Sequence, residues 1–433
     1  MQRFEPGKET KLKLVMRFKS CSLIAVASLF PAAVFGLGIR LPDQDAVATA
    51  RGEAFVATAD NPSAIYYNPA GIAFLTGQNA RIGVYAIDLW DTFSGSGVHK
   101  ETKSDLQAVP HIYYTYTPEK CPVSAGFGIY APYGLGLEWP DNSPFRNLAK
   151  EGRIQYLTFN PVVAWKIHDT LSISAGPTIN YSEAELKRGV FAPGDEFKFK
   201  GDDTAVGFNA GLMWRPHPQH SFGVNYRSAT TMGYGGHSDA HFISPGPPFF
   251  PAPVGTPISS RQSASASFDF PQNIAVGWSF RPTPKWNLEF NVDWTDWDTL
   301  NTVKLKQALG PQTLVFDWRS SFFYEWGVTR YFDNGWSVSA GYIYSENSVP
   351  EKTFNPIVPD SDRHIFSIGV GKKYKSWDLN LTYQFAYGPT RTIDNPLGAP
   401  NAVPSPPGPP GFNANGRYEY TSHAVLCTIG YQF

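Results

Sequence analysis

The chain has 433 residues, of which 15% are aromatic and only 17% are charged, and it contains 39 glycines and 37 prolines. Its 36 basic and 37 acidic residues nearly cancel, so the sequence lacks the basic footprint of a nucleic-acid-binding protein. Few runs have the helical period, and the abundance of aromatic residues and turn formers predicts an all-β protein, in which a barrel of this length forms one unit.

Residues 1–36 predict a secretory signal peptide. A short basic stretch precedes an apolar run that ends near Phe35, with residues acceptable for cleavage just after it. The run contains Pro31 and is short for a bilayer span of about 20 residues, which argues against a membrane anchor. Residues 1–15 are either an extended n-region or an upstream start, and the mature chain is expected to begin near Leu37.

The next stretch, residues 37–77, fits neither a long strand nor a long helix. It contains two Asn-Pro steps, at Asn61 and Asn68, and yet it is too apolar for a disordered tail. We expect it to fold as a compact hatch inside a barrel built by residues 78–433. Its charged side chains either pair with inward-facing charges of the barrel or remain solvated in the lumen. The hatch charges are Arg40, Asp43, Asp45, Arg51, Glu53 and Asp60, and the inward-facing set is Arg81, Arg215, Arg227, Glu289, Asp293 and Glu325.

After residue 77 the sequence alternates with a period of two. In residues 377–387 the odd positions are large and apolar or aromatic, whereas the even positions are polar or small. Tight turns alternate with long loops, and aromatic residues occur at strand ends, which favours a fourteen-stranded antiparallel transmembrane barrel over a soluble sandwich. An even strand number leaves both ends of the barrel in the periplasm. The predicted strands lie near 79–88, 104–116, 123–131, 154–167, 171–187, 203–216, 220–233, 263–281, 285–297, 315–331, 336–345, 362–374, 376–387 and 418–433, and the long loops include 132–153, 234–262, 298–314, 346–361 and 388–417.

The lumen of such a barrel is too wide for side chains to fill, so it needs water, a plug or both. In the third strand Gly126 and Gly128 are expected to face inward, and Pro132 then removes a ladder hydrogen bond. The pattern predicts either a wall that opens sideways to lipid at this point or a strand that simply ends before Pro132.

Two long loops are rich in proline and apolar residues, at 243–255 and 394–412. Exposed apolar segments mark interaction sites, so these loops either collect apolar molecules or are stiff loops without a ligand role.

The last strand alternates Val425, Cys427, Ile429 and Tyr431 with smaller or polar residues and ends the chain on Phe433. An amphipathic final strand with a terminal aromatic residue is the usual signal for the barrel assembly machinery. An ordinary edge-strand terminus is the alternative. The pattern predicts the outer membrane of a Gram-negative-type bacterium, with outer-membrane lipid around the barrel.

Residues that would carry catalysis are not evident. The sequence has no nucleophile elbow, no phosphate-binding loop and no Cys or His pairs at zinc spacing, so we expect neither an enzyme nor a cofactor. His237, Asp239 and His241 share one strand face, but a solvated loop is the favoured interpretation and no metal site is predicted. Cys121 and Cys427 are expected to be free thiols.

Five segments together resemble the FadL-type outer-membrane transporters of long-chain fatty acids, a family that includes toluene-type hydrocarbon transporters. The segments are Asn68-Pro69-Ala70 and residues 127–135, 270–273, 294–297 and 360–366. The resemblance implies a barrel plugged by an N-terminal hatch, an apolar pocket beside the first mature residues, and a kinked third strand that forms a lateral passage. The residues implied are Leu37, Ile39, Asn68, Pro69 and Ala70 for the pocket and hatch, and Gly126, Gly128, Pro132 and Tyr133 for the lateral opening.

The resemblance also implies that ligand is captured at the outer loops, held in the pocket and released by movement of the hatch. The leading hypothesis is therefore passive transport of hydrophobic molecules, with long-chain fatty acids first. The alternatives are a toluene-type hydrocarbon transporter and a structural or adhesive surface barrel. No basic residue for a carboxylate can be assigned, because the loops do not align by motif.

Overall fold

The computed structural model describes residues 38–248, 250–308, 310–395 and 414–433. The predicted signal peptide, Leu37 and most of the second proline-rich loop lie outside these ranges. The strands are β1 Gly77–Gly95, β2 Val98–Glu101, β3 Gln107–Thr117, β4 Val123–Tyr130, β5 Gly134–Glu138, β6 Glu151–His168, β7 Leu171–Arg188, β8 Glu196–His217, β9 His220–Arg227, β10 Thr230–Ile243, β11 Pro257–Phe270, β12 Asn273–Thr283, β13 Trp286–Thr295, β14 Thr302–Gln307, β15 Gln312–Val315, β16 Ser321–Tyr331, β17 Trp336–Ser345, β18 Arg363–Tyr374, β19 Trp377–Ile393 and β20 Gly416–Gln432.

These strands build a closed antiparallel barrel of fourteen wall strands, as predicted. The third wall strand is split into β4 and β5, the seventh into β9 and β10, and the eighth into β11 and β12. β1 pairs with β3 on one side and with β20 on the other, which closes the barrel. The pairing of β1 with β20 leaves neither the first nor the last wall strand with an open edge toward lipid, where no water could satisfy the backbone.

The two faces of the wall follow the predicted alternation. In β19, Trp377 and Leu379 are 53% and 52% exposed on the outer surface, whereas Asn380 and Thr382 are buried on the lumen side. Lipid stabilises the apolar outer face, and polar lumen residues hydrogen-bond one another and the N-terminal segment. Phe433 ends the chain on the outer surface and Cys427 is half-buried; Cys427 and Cys121 are free thiols.

The outer ends of several strands differ from the predicted boundaries. β8 begins at Glu196 and not near 203, and its outer part points Phe197 and Phe199 inward with Lys198 and Lys200 outward. In the lipid-facing part of the wall the apolar side chains point outward, whereas here they point inward. The reason is that the outer part of the barrel is surrounded by water and encloses apolar side chains. The criterion of an apolar outer face therefore missed it.

The predicted loop 298–314 also differs, because it contains a hairpin of β14 and β15. The tenth wall strand, β16, accordingly begins at Ser321 instead of near 315. The predicted loop 346–361 contains a short 3-10 helix, Glu351–Thr353.

Residues 38–76, called the N-terminal segment below, pack against the inward faces of the wall. The segment contains two short helices, α1 Ala46–Ala50 and α2 Ala64–Tyr67, and a 3-10 helix, Pro69–Phe74. The Asp45 carboxylate caps α1 by accepting the Val47 N–H at 2.9 Å. None of the helices in the described ranges has the length and apolarity needed to cross a membrane.

Inward-facing glycines let the N-terminal segment approach the wall backbone. Gly327 of β16 and Gly341 of β17 are register partners, and residues 51–52 lie directly on them. A Cβ atom at Gly341 would collide with the backbone nitrogen of Gly52. The contact is therefore backbone against backbone, and only glycine fits there.

Gly341→Ala is expected to lower the unfolding free energy by about 1–3 kcal/mol, because the added methyl group forces backbone shifts in a packed interior. Unfolding in urea, followed by loss of the heat-modifiable band on gels, measures the change. Gly235→Ala is the matched control, since a Cβ at this glycine of β10 meets no atom within 4 Å. Equal unfolding free energies for Gly341→Ala and Gly235→Ala would contradict a close backbone contact between Gly341 and residues 51–52.

Candidate ligand cavity and lateral passage

An apolar cavity of about 110 Å³ lies toward the outer end of the lumen. Its wall side comes from β5 and the outer parts of β6, β7, β8, β10 and β11, and its remaining lining comes from β14, β15, the loops and Ile39 of the N-terminal segment. The apolar lining includes Leu135, Leu148, Ile154, Leu186, Phe199, Phe268, Val303, Leu305, Leu314, Phe316, Trp318, Ile357 and Val358.

Outer loops roof this cavity with buried apolar side chains. Trp139 is anchored by its Nε1–H, which donates to the Pro356 carbonyl at 2.8 Å, and Phe145 packs edge-on against Trp139. Trp297 and Trp318 pack together beneath the β14–β15 hairpin. The lumen is therefore polar at mid-depth and apolar at its outer end, which suits a ligand with a long apolar portion.

Arg188 is the most informative polar residue of the cavity lining. Its Nη2 donates to the Gln312 Oε1 at 2.6 Å, and its guanidinium lies 5.1 Å from the centre of the Phe197 ring. No carboxylate lies within ion-pair distance of it in the described ranges. A guanidinium in an apolar cavity without an acidic partner is suited to bind an anionic group of a ligand.

The sequence analysis does not identify Arg188, although the alternation of inward and outward side chains along β7 indicates where its side chain lies. Even-numbered residues of β7, such as Ser172 and Ser182, point into the lumen. Arg188 has the same parity, so a count along the strand places its side chain inside.

The third wall strand is interrupted at residues 131–133, between β4 and β5. β4 pairs with β3 no further than Ile112, and β5 pairs with β6 on its other side. In the described chain, residues 107–111 of β3 have no ladder partner toward β5. We call this interruption, between residues 107–111 and 131–138, the wall gap.

Residues 39–44 of the N-terminal segment cover the wall gap from inside. The Leu41 N–H donates to the Pro132 carbonyl at 2.8 Å, and the Gly134 N–H donates to the Ile39 carbonyl at 2.9 Å. These two bonds pair backbone groups that the interruption would otherwise leave unsatisfied.

Two side chains strengthen this closure. The Gln44 Nε2 donates to the Ala131 carbonyl at 2.8 Å. The backbone of Tyr133 forms an antiparallel bridge with residue 40. Its hydroxyl donates to the Pro271 carbonyl at 2.9 Å, and Pro271 lies in the interruption of the eighth wall strand, between β11 and β12. Tyr133 therefore connects the interruption of the third wall strand with that of the eighth.

The other predicted site residues separate into two groups. Ile39 lines the cavity, whereas Asn68, Pro69 and Ala70 lie away from it near the periplasmic turns. The Asn68 Nδ2 donates to the Val56 carbonyl at 2.8 Å and to the Leu212 carbonyl at 3.0 Å. The Asn-Pro-Ala turn thus anchors the segment to β8.

Gly126 and Gly128 face inward below the wall gap. A Cβ at either glycine would press on the Ile65 side chain of α2 at about 3 Å. These two glycines therefore make room for the N-terminal segment.

Buried ion pairs hold the N-terminal segment to the wall at several points. Arg40 makes a two-pronged contact with Asp293, at 2.8 and 2.6 Å. Arg51 pairs with Glu289 at 3.2 Å, and Asp45 pairs with Arg81. These are pairs between the two charge sets that the sequence identified.

The other predicted charges have different partners. Arg215 and Arg227 donate to the carbonyls of Thr58 and Tyr66. Asp60 pairs at 3.1 Å with Arg281, a residue outside the predicted set.

Asp43 and Glu53 have no basic partner among the residues that the structure describes. Burial raises the pKa of Asp43 to about 6, although the Gln384 amide donates to its carboxylate. Burial and the neighbouring Asp43 charge raise the pKa of Glu53 well above its usual value. The lumen at this depth therefore penalises unpaired charge strongly.

The remaining predicted features lie outside the cavity. Arg261 donates to the His237 Nε2 at 2.9 Å and lies 3.7 Å from Asp239, so both residues contact a guanidinium. In the first proline-rich loop Val254 is 77% exposed, whereas Phe250 packs on Phe242 beside the core. The second such loop lies largely outside the described residues.

Comparison with known proteins supports one family. The family profile described as "Outer membrane protein transport protein (OMPP1/FadL/TodX)" matches residues 24–432. The long-chain fatty acid transport protein of Escherichia coli O6:H1 is 23% identical over 399 residues, which cover 80% of this chain and 84% of that protein. The protein of the same name from Salmonella typhi is 21% identical and covers 76% of this chain and 82% of that protein.

Solved structures agree on the fold. A Pseudomonas aeruginosa FadL homologue superposes with a TM-score of 0.77 at 18% identity, covering 92% of this chain and 100% of that one. The Pseudomonas putida toluene transporter TodX gives a TM-score of 0.72 at 14% identity, with 92% and 100% covered.

The named relatives are transporters of fatty acids or hydrocarbons, not enzymes. The predicted location in the outer membrane of a Gram-negative bacterium is confirmed. The chain belongs to the OMPP1/FadL/TodX family of outer membrane transport proteins.

Proposed function

We propose that this protein is a passive outer-membrane transporter of long-chain fatty acids. The ligand enters from the outer loops, places its alkyl chain in the apolar cavity and leaves through the wall gap into the membrane. The observation that carries this proposal is Arg188, a guanidinium in the cavity lining without an acidic partner in the described ranges. A fatty acid supplies both a carboxylate for Arg188 and an apolar chain for the rest of the cavity.

The release route is supported by the contacts of residues 39–44. Ile39 lines the cavity, while Leu41 packs into a second apolar cluster with Tyr85, Val109 and Leu426 beside the wall gap. Displacement of residues 39–44 would join the cavity to the wall gap without moving α1 or α2. The Asn68 anchor and the seating on Gly341 keep the rest of the N-terminal segment in place during this movement.

A second candidate ligand is a single-ring aromatic hydrocarbon. The cavity of about 110 Å³ is smaller than the roughly 300–1,000 Å³ of pockets for drug-sized ligands, and it falls in the size class that admits one aromatic ring. A long alkyl chain requires the roof to move, whereas a ring does not. Such a hydrocarbon leaves the charge of Arg188 unused.

Transport assays with Arg188 variants test the proposal. A strain that lacks its own fatty acid transporter should regain uptake of labelled oleate when this chain is expressed. Arg188→Met should cut uptake at limiting oleate about 10- to 100-fold, because a hydrogen bond to a charged group contributes about 1.5–3 kcal/mol. Uptake of labelled toluene should not fall, because a hydrocarbon makes no bond to Arg188.

Arg153→Met is the matched control. Arg153 also lines the cavity, but its side chain is 45% exposed and paired with Glu151 at 2.5 Å. Failure of the intact chain to restore oleate uptake, with normal toluene uptake, would reject fatty acids in favour of the second candidate.

A further inference from the structure

The hairpin of β14 and β15 has one apolar and one polar face. Val303 and Leu305 are buried toward the cavity, and Leu314 completes the same surface. Lys304 and Lys306 point outward and are exposed. The hairpin therefore covers part of the cavity as an amphipathic flap.

The hairpin is joined to the wall over a short length. β14 pairs with β11 at two register positions, Ala264 with Gln307 and Ser265 with Lys306. By contrast, β10 pairs with β11 continuously from Thr230 to Ile243. A two-stranded ribbon with so little ladder contact is stable mainly through its packing, which a ligand in the cavity can replace.

Among the described residues, side-chain hydrogen bonds tie the hairpin to β10 and to β7. Ser238 of β10 donates to the Gln307 Oε1 at 2.9 Å. Arg188 of β7 donates to the Gln312 Oε1 at 2.6 Å. The second bond joins the cationic group of the cavity to a neutral amide of the flap.

We propose that the β14–β15 hairpin is the lid of the cavity and that the Arg188–Gln312 hydrogen bond is its latch, which a ligand carboxylate opens by taking the place of the Gln312 amide. A carboxylate is a stronger acceptor for a guanidinium than an amide oxygen is, because it adds the attraction of opposite charges and can accept two parallel N–H bonds. The exchange makes capture selective for acids. The carboxylate part of this inference rests on the proposed function, whereas the lid itself does not.

Lid movement also accounts for the size of the cavity. A closed volume of about 110 Å³ is small for a long alkyl chain. Moving the hairpin outward removes Val303, Leu305 and Leu314 from the lining and extends the cavity toward the outside. The ligand chain then covers the apolar surfaces that the lid exposes.

A reversible disulfide tests the lid. Ala264 and Gln307 are register partners, and the Cα atoms of opposed residues in an antiparallel ladder lie about 4.5–5.5 Å apart, within the range that a disulfide spans, so A264C/Q307C should lock the hairpin. The exposed Cys121 is replaced by serine in all variants. In lipid nanodiscs the oxidised protein should bind oleate and oleyl alcohol at least tenfold more slowly than the reduced protein.

The control is H241C/S259C, which crosslinks register partners of two wall strands, β10 and β11. Its oxidation should leave both association rates unchanged. Equal rates for fully oxidised and reduced A264C/Q307C would overturn the lid. If the reduced protein binds oleyl alcohol but not oleate, the fatty acid proposal fails, and the lid is still judged from the alcohol.

Substitutions at Gln312 test the latch separately. Gln312→Glu places a carboxylate on the hairpin and should slow oleate association at least tenfold, because Arg188 then has an ionic partner. Gln312→Met removes the acceptor and should speed association of both ligands. Oleate rates that match the unchanged protein in both variants would overturn the latch, even if the disulfide supports the lid.

Discussion

A variant lacking residues 37–70 is expected to conduct ions through planar bilayers at a level at least an order of magnitude above that of the intact protein. Fourteen wall strands enclose a lumen too wide for their own side chains to fill, and residues 38–76 pack against the inward faces of these strands. Once the segment is removed, Glu289 and Asp293 lose their cations, and Arg81 loses Asp45 but keeps Asp378 of β19. Water and ions then fill the space.

The barrel itself should survive this deletion. The wall is closed by the pairing of β1 with β20 from Asn79 to Ser94, which does not involve the deleted residues. Heat-modifiable migration on gels checks that the variant is folded. If the deletion variant is folded and conducts no more than the intact protein, the N-terminal segment does not block the lumen.

The sequence alone predicts the barrel because lipid imposes a simple rule on each wall strand. Trp377 and Leu379 must face outward, and Asn380 must then face inward, so a period of two identifies the strand without any tertiary information. The rule stops where the wall rises above the membrane, as it does at Phe197 and Lys198 of β8. The β14–β15 hairpin lies in this region and was predicted as a loop for the same reason.

The partners inside the lumen could not be predicted in the same way. Both charge sets are evident in the sequence, but Asp293, Glu289 and Glu325 are equally plausible partners for Arg40 until the strands are in register. The resemblance at residues 127–135 points to Tyr133. Its contact with Pro271, however, joins two wall strands through residues that are 138 positions apart in the sequence. Such contacts follow from barrel closure and not from local pattern.

The cavity illustrates a further limit. Its lining comes from six segments of the wall, from the β14–β15 hairpin, from loops and from Ile39, and its apolar residues are of types that are common elsewhere in the chain. Arg188 has the correct parity to be found, but its significance depends on the absence of a nearby carboxylate in the described ranges. Only the folded structure brings these facts together.

Removing the charge of Arg40 is expected to destabilise the protein by about 3–5 kcal/mol, the cost of leaving one member of a buried ion pair unpaired. Arg40 makes two bonds to Asp293 and one to the Thr295 hydroxyl at 2.7 Å, and the pair is nearly inaccessible to water. In Arg40→Met the Asp293 carboxylate remains buried with no cation in contact. Urea unfolding in detergent measures the loss.

The double variant Arg40→Met/Asp293→Leu should recover most of this loss, because it removes both charges and fills similar volume with apolar groups. Recovery separates the cost of an unpaired charge from that of lost packing. A double variant as unstable as the single one would show that shape, and not charge, is decisive at this contact.

Conductance distinguishes this substitution from deletion of the segment. In Arg40→Met the anchor at Asn68, the Arg51–Glu289 pair and the backbone contact at Gly341 remain. The lumen should therefore stay filled and the ion conductance should stay at background. Release of bound oleate should quicken in the single and the double variant alike, because residues 39–44 lose their link to β13 in both. A rise in conductance comparable to that of the deletion would mean that the N-terminal segment moves as one body, and would contradict a movement confined to residues 39–44.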